Sequence, residues 1–386
     1  MEQLATVQVG AGWFSENPGG LDRYYHDLLD VLPEAGVRCR GLVVGTPAVE
    51  QETDGDVRAF ALPDEPIFRR WRNARAAVDR LWQTLPEDER VLVTHFALYG
   101  YPLRRSRDKR PWVVHFHGPW AAEAQSNGAG GMSAFFKRWI EKSVYQRADR
   151  LIVLSEAFRD VLVDDYGVDA AKVVIIPGGV DVDRFVPAFN TPKEDARTQF
   201  GWPVDRPIVL TVRRLVPRMG LETLIDAMKL VRERVPNALC LIAGRGPMVE
   251  TLVSRIEAAG LDGNVELLGF VADEDLPLAY RAADISIVPS ESLEGFGLSA
   301  AESLAAGTPP LVTPVGGLPE VVRGLDPSLI LPAADAATVA DGIAAALKDP
   351  SRLPTPDACR AYAAKQFDWQ TIAARIAAVY AAAAGK

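Results

Sequence analysis

Cysteine is scarce in this chain. There are three in 386 residues, Cys39, Cys240 and Cys359, each far from the others. An odd number at such spacing excludes a disulfide framework, and no zinc-site spacing is present, so a reducing cytoplasm is the expected compartment. Long apolar runs are also missing. None approaches the ~20 residues needed to span a bilayer, and the opening MEQLATVQVG lacks the basic start and apolar stretch of a secretory leader. Positive charge is in deficit, with 42 Lys and Arg against 51 Asp and Glu and a formal net charge of -9. That excludes nucleic acid as the main partner, because a phosphate backbone needs a basic face. A local cluster of cations can still bind a small anion. Short repeats and low-complexity tracts are absent, apart from the alanine-rich end IAARIAAVYAAAAGK.

What the chain does have is length and alternation. Its 386 residues exceed the ~250–300 at which a single core stops growing, so two domains are expected. LATVQVGAG, VRCRGLVVG, RVLVTHF, PWVVHFHG, DRLIVLS and VVIIPGGVD read as strands, separated by helical patterns such as LDRYYHDLLDVL. The polar, proline-containing VDRFVPAFNTPKEDARTQFGWPVDRP has little periodicity and reads as an interdomain connection. The pattern restarts with IVLTVRR, ALCLIAG, VELLGF, ISIVPS and PPLVT. The fold class is therefore α/β, with two Rossmann-like, doubly wound parallel sheets. Open parallel sheets bind ligands beyond the carboxyl ends of their strands, so with two sheets the expected site is a cleft between them. Gly19 and Gly20, His95, His117, Arg213 and Arg214, Gly244, Gly269 and Phe270, and Glu294 all fall at such ends.

Several motifs there carry chemistry, each with a plainer alternative. In SLEGFGLSAAESLAAGTP, Ser299 and Glu302 could form a capping box. The other reading starts a helix near Gly297, so that the amides of Phe296, Gly297 and Leu298 face an anion or a sugar. Glu294 and Glu302 would then accept hydrogen bonds from substrate hydroxyls. In RRLVPRMG, either a solvated basic turn is present or the planar fork of Arg214 matches a diphosphate. In ENPGGLDRYY, the glycines either make a structural turn or let the backbone approach a phosphate. GAGWFS begins like a dinucleotide fingerprint but carries Ser15 where the last glycine belongs, so a dehydrogenase has little support. Asp181 and Asp183 in DVD invite a metal reading, and a linker role is the simpler one. His117 ends a strand, and His115 is expected on the opposite sheet face. Two stretches, PIFRRWRNARAAVDRLW and MSAFFKRWIEKSVYQRADR, are basic and aromatic. They read either as membrane-surface helices or, more simply, as helices docked on their own sheet.

EGFGLSAAE resembles the Glu-x7-Glu element of retaining glycosyltransferases with the GT-B fold, particularly glycosyltransferase family 4. ADRLIVLSEAFRDVL, IIPGGVDVDRF, LTVRRLVPRMGLETLIDAM, IAGRGP and LLGFV extend the likeness over nearly the whole chain, most strongly over residues 147–322. The resemblance implies an acceptor-binding domain over 1–182, a donor-binding domain over 183–369, and a final helix, 370–386, that packs back on the first. It implies that Glu294 contacts donor-sugar hydroxyls, Glu302 the ribose and Arg214 the diphosphate. Met219 stands where the family usually has lysine, and Arg213 or Arg218 would supply the missing charge. Gly19, Gly20, Gly244 and the Phe296–Leu298 turn would complete the donor site, with the base near Gly269, Phe270 and Val271. His117 would face the donor sugar, with His95 and Trp120 on the acceptor side.

The implied reaction is retaining transfer of a sugar from a nucleotide-diphospho-sugar to a hydroxyl of a sugar, lipid-linked or small-molecule acceptor. It would serve glycan, glycolipid or secondary-metabolite biosynthesis, with no metal and no further cofactor. The expected location is the cytoplasm, with peripheral contact at the inner membrane face as a variant. A nucleotide-sugar epimerase and a non-catalytic sugar-binding relative remain as alternatives. Donor base, sugar, acceptor and oligomeric state stay open.

Overall fold

The computed structural model describes residues 4–17, 19–86, 90–104, 110–126 and 130–385. Pro18, in the expected glycine turn, lies outside them. The chain divides into two compact units, Met1–Gly179 with Trp369–Lys386, and Val180–Asp368.

The first unit is built on strands β1 (Leu4–Val9), β2 (Val37–Val44), β3 (Val57–Ala61), β4 (Arg90–Thr94), β5 (Trp112–Phe116), β6 (Arg150–Val153) and β7 (Val173–Ile175). They pair in parallel in the order β3-β2-β1-β4-β5-β6-β7. Strands buried on both faces read as continuous apolar runs, which is why most were legible in the sequence. β3 was not. It is an edge strand whose VRAFA carries an exposed Arg58 and no apolar run. One face of the sheet packs Ala5, Val7, Val9, Leu92, Val114 and Phe116 into one core layer. The other face packs Leu4, Val91, Val93 and Val113 beneath Tyr24 and Leu28 of the Gly20–Val31 helix and Ile372, Ile376 and Tyr380 of the Trp369–Ala383 helix.

The second unit holds β8 (Ile208–Val212), β9 (Leu239–Ala243), β10 (Val265–Gly269), β11 (Ile285–Val288) and β12 (Pro310–Val312), in the order β10-β9-β8-β11-β12. The stretch read as a connection is part of this unit. It forms short helices at Val186–Asn190 and Lys193–Phe200. Phe185 and Ala196 are buried there, and Arg197 pairs with Asp284 at 2.7 Å. Helices this short show almost no periodicity, so the sequence pattern could not reveal them.

The two chain crossings lie side by side, since the Val180 N–H donates to the Phe367 carbonyl at 2.7 Å. Trp369 then lies against Gly179, where a Cβ would come within 2.2 Å of the indole. All three cysteines are free, and burial pushes the Cys39 thiol up to about 11 and that of Cys240 up to about 12. No helix among the described residues is long and apolar enough to cross a membrane.

Because Ile376 is fully buried in the first unit's core, Ile376→Ala is expected to destabilise that unit by about 2–5 kcal/mol through lost burial and an unfilled cavity. Urea unfolding monitored by circular dichroism checks this. An unchanged midpoint would show that the last helix is not part of that core.

Candidate active site

In each sheet the strand order reverses at one strand pair, β1 and β4 in the first and β8 and β11 in the second. Loops leaving such a pair run in opposite directions and open a crevice at the carboxyl ends. In the second unit this point is marked by an ion pair. Arg213, the residue after β8, meets Glu294, which follows β11, through Nη2 and Oε2. The side chains are 5% and 15% exposed. Ser290 Oγ donates to the same Oε2 at 2.8 Å. Burial alone would raise the Glu294 pKa, but Arg213, the Ser290 hydroxyl and Arg218 outweigh it and hold the carboxyl below its ordinary range. Arg213 Nη1 is buried and has no hydrogen-bond partner among the described residues.

The backbone around Glu294 is fixed from several directions. Leu293 sits in the left-handed region at φ 54, a strained setting for a non-glycine residue. Its carbonyl accepts Arg218 Nη1 at 2.8 Å. The Glu294 carbonyl accepts the Gly317 N–H at 2.9 Å. Gly316, at φ 55, must be glycine because a Cβ would fall 1.9 Å from that carbonyl oxygen. The Leu298–Ala305 helix follows, with Gly297 at φ 99 as N-cap and no side-chain cap. Ser299 lies inside the first turn, so the capping box does not form. The helix opens with bare backbone amides. Glu302 is buried inside it and accepts the Tyr280 hydroxyl at 3.1 Å.

The other residues expected on the donor side spread around this centre. Arg214 is exposed and Arg218 is buried. The Met219 sulfur lies against the Arg213 guanidinium. Gly244 donates its N–H to the Gly269 carbonyl at 2.6 Å. Phe270 is exposed beneath the Arg245 guanidinium, 4.4 Å from the ring centroid, and Val271 is half-buried. The Phe296 ring is turned inward onto Phe367, at 5.4 Å. The sequence reading missed Ser290, Leu293 and Gly316, because a strained dihedral and a contact from a distant loop leave no local signature.

The first unit's reversal point carries a chain of neutral histidines. His95, following β4, hydrogen-bonds through Nε2 to Gln8 Oε1 of β1 at 2.9 Å and through Nδ1 to His117 Nε2 at 3.3 Å. His115 lies between two hydroxyls, Tyr24 at 3.2 Å from Nδ1 and Tyr380 at 2.7 Å from Nε2. Positions two apart on a strand share a face, so the expectation that His115 points away from His117 was wrong. Both rings stack on His95. Burial holds the His117 pKa down to about 3. Burial, then the neighbouring imidazoles, hold those of His95 and His115 well below the ordinary value.

An amide oxygen can only accept, so His95 Nε2 bears the proton and Nδ1 is bare. His117 therefore donates from Nε2 and keeps Nδ1 as an acceptor. These three imidazoles are also the only group of three or more potential metal ligands among the described residues that lie within 4.8 Å of one another. Hydrogen bonds to Gln8, Tyr24 and Tyr380, together with the bond between His95 and His117, already occupy five of the six ring nitrogens.

Nearby, buried Asp22 holds the loop after β1, accepting the Gly12 N–H at 3.0 Å and Asn17 Nδ2 at 2.6 Å. Gly19 caps the Gly20–Val31 helix in extended backbone at φ -165, and no described residue lies within 4 Å of a Cβ built on Gly20. His95 is buried beneath His117. Trp120 is half-buried, with Lys137 Nζ 4.7 Å from its ring centroid. Asp181 accepts the N–H groups of Asp183 and Arg184, both at 3.1 Å, and so caps a turn.

The histidine pKa values carry a sign for stability. The folded values lie below the ordinary ~6.5, so the stabilisation is complete above pH ~6.5 and is lost as pH falls towards the folded values. Each buried imidazole adds up to ~1.4 kcal/mol of lost stability per pH unit in that window. Urea unfolding between pH 7 and pH 5 should show falling stability, and His117→Gln should flatten the slope by about one proton. An equal slope in the variant would contradict the neutral assignment.

The chain is similar to known proteins over almost all of its length. Residues 18–184 match the family described as "Glycosyltransferase Family 4", and residues 192–366 match "Glycosyl transferases group 1". Mannosylfructose-phosphate synthase of Agrobacterium fabrum is 36% identical over 47% of this chain, but the match spans only 42% of that protein. D-inositol 3-phosphate glycosyltransferase of Corynebacterium jeikeium is 32% identical over 75% of this chain and 71% of its own length. Among solved structures, Anabaena HepE, crystallised with UDP and glucose, superposes with a TM-score of 0.79 at 20% identity, covering 98% of this chain and 100% of that one. That likeness identifies the fold as GT-B, and with the family matches and the Corynebacterium relative it establishes that the chain belongs to glycosyltransferase family 4.

Proposed function

We propose that the chain is a retaining glycosyltransferase that moves a sugar from a nucleoside-diphospho-sugar to a hydroxyl acceptor. The observation that carries this reading is the buried Arg213–Glu294 pair at the β8 and β11 ends, with the guanidinium Nη1 unpartnered among the described residues. A carboxylate held ionised offers acceptor lone pairs to sugar hydroxyls, and an oriented guanidinium offers donors to a diphosphate.

In this reading the second unit binds the donor. Glu294 accepts from sugar hydroxyls and Glu302 from the ribose, while the open N-terminus of the Leu298–Ala305 helix faces the anion. Arg213 Nη1 and Arg214 meet the diphosphate, and Arg213 carries the charge that lysine would bring at Met219. The base lies along Gly269, Phe270 and Val271. The first unit binds the acceptor, whether a sugar, a lipid-linked hydroxyl or a small polyol, and contributes His117 with its orientation fixed by His95 and Gln8.

The chemical step breaks the bond between the anomeric carbon and the phosphate oxygen, passing through an oxocarbenium-like state. The acceptor oxygen bonds to the same face, and its proton passes to the departing phosphate oxygen. In this scheme the guanidinium groups of Arg213 and Arg214 and the helix N–H groups meet the charge that develops on that oxygen, and the more firmly the fold holds them the less reorganisation the step requires. No metal is required in this scheme.

Two measurements test it. Thermal shift with UDP-glucose, GDP-mannose and their parent nucleotides should raise the unfolding temperature selectively for one base, since a ligand at 100 times its Kd adds ~2.7 kcal/mol. With that donor, Glu294→Gln and Arg213→Ala should each lower kcat/KM by about 10²–10³-fold, and Arg214→Ala should chiefly raise the donor KM. Turnover near wild type in both Glu294→Gln and Arg213→Ala would overturn the assignment. Donor consumption without any acceptor product would favour the epimerase.

A further inference from the structure

The Gly131–Tyr145 helix turns an apolar stripe outward. Met132, Phe135, Phe136 and Trp139 recur at helical spacing and are 76%, 67%, 58% and 51% exposed. A helix on the surface of a soluble domain normally places such a stripe inward. Here the inward face is already committed. Glu141, Val144 and Tyr145 are buried, and the Glu141 carboxylate accepts the Tyr166 hydroxyl at 2.8 Å and the Ala121 N–H at 3.2 Å. The stripe therefore cannot rotate into the core without breaking that anchor.

The stripe is one end of a continuous aromatic band. Trp139 packs on Tyr101 at 5.3 Å, Tyr101 on Trp71 at 5.1 Å, and Trp71 on Phe68 at 5.7 Å. Phe68, on the Ile67–Thr84 helix, is 76% exposed. The band runs along a surface of net positive charge. The Ile67–Thr84 helix holds five arginines and one acid, Asp79, which pairs with Arg75, while Arg69 pairs with Glu65 just before it, and residues 131–145 hold three cations and one acid, the buried Glu141. This concentration of positive charge occurs in a chain whose net charge is -9. The Arg104 guanidinium lies 3.3 Å from the Tyr101 ring centroid, within the band.

We infer that this band docks on the surface of a bilayer containing anionic phospholipid. Aromatic rings suit the headgroup boundary, where an apolar body and polar edges are both satisfied, and the flanking Lys and Arg stems reach the lipid phosphates. A second copy of the chain is the poorer occupant, because a symmetric contact would set these two cationic helices against their own images. The inference uses none of the residues proposed for sugar transfer, so it can fail or hold independently of that reading.

The test is co-sedimentation of the full chain with vesicles of phosphatidylcholine alone and of phosphatidylcholine mixed with phosphatidylglycerol. The wild type should partition at least about tenfold more strongly onto the mixed vesicles at low salt and lose that preference as ionic strength rises. The triple variant Phe135→Ser, Phe136→Ser, Trp139→Ser should keep its unfolding temperature, because these side chains are exposed, and lose binding to both vesicle types. Arg69→Gln with Arg72→Gln should lose only the preference for phosphatidylglycerol. Wild type that stays in the supernatant, that binds both vesicles equally, or that is matched by the triple variant overturns the inference. A concentration-dependent dimer dispersed by the triple substitution, without vesicle binding, overturns it in favour of a second copy.

Discussion

A buried carboxylate persists as an anion only if neighbouring charges and hydrogen-bond donors replace its lost hydration, and at Glu294 Arg213 is the largest of these, ahead of Ser290 and Arg218. The rest of the second unit can be read as the means of holding these two groups together. β8 and β11 are neighbours in the sheet although two strands and three α-helices separate them in the chain, so residues 81 positions apart leave the sheet side by side. Arg218 fixes the Leu293 carbonyl, and the Gly316–Gly317 turn fixes the Glu294 carbonyl. The strained dihedral at Leu293 is sustained by these contacts, as expected where backbone geometry is over-determined by its surroundings.

The first unit solves a related problem without charge. Its reversal point, between β1 and β4, is spanned by Gln8 and His95, and the hydrogen bond between them sets the tautomer of His117 through one intermediate ring. Burial keeps all three imidazoles neutral, so the network holds an oriented donor and acceptor across the pH range in which an exposed histidine would switch. Tyr380 reaches His115 from the last helix. A chain segment 265 residues away in sequence thereby becomes part of the same network, and the crossing at Trp369 has a consequence beyond core packing.

Much of this was legible in the sequence because parallel strands buried on both faces write themselves as apolar runs. Glycines and charged residues at their carboxyl ends then mark where a ligand can approach. What was not legible follows from what a linear pattern cannot hold. β3 is an edge strand with a charged residue in its middle. The stretch before β8 folds as helices too short to show a period. Arg213 and Arg214 are adjacent and chemically identical, and only the direction in which each leaves the strand buries one beside Glu294 and leaves the other exposed. His115 was assigned to the wrong face by a miscounted strand period. Leu293 and Gly316 act through a dihedral angle and a close approach from a distant loop, neither of which has a residue signature.

The account's central claim is that Arg213 and Glu294 act as one unit on the nucleotide-sugar. A double-mutant cycle of Arg213→Met and Glu294→Gln, read by calorimetric titration with the preferred nucleotide-sugar, tests it most directly. Coupled residues should give a double variant that binds no worse than the weaker single variant, whereas losses that simply add would show two independent contacts and contradict the claim.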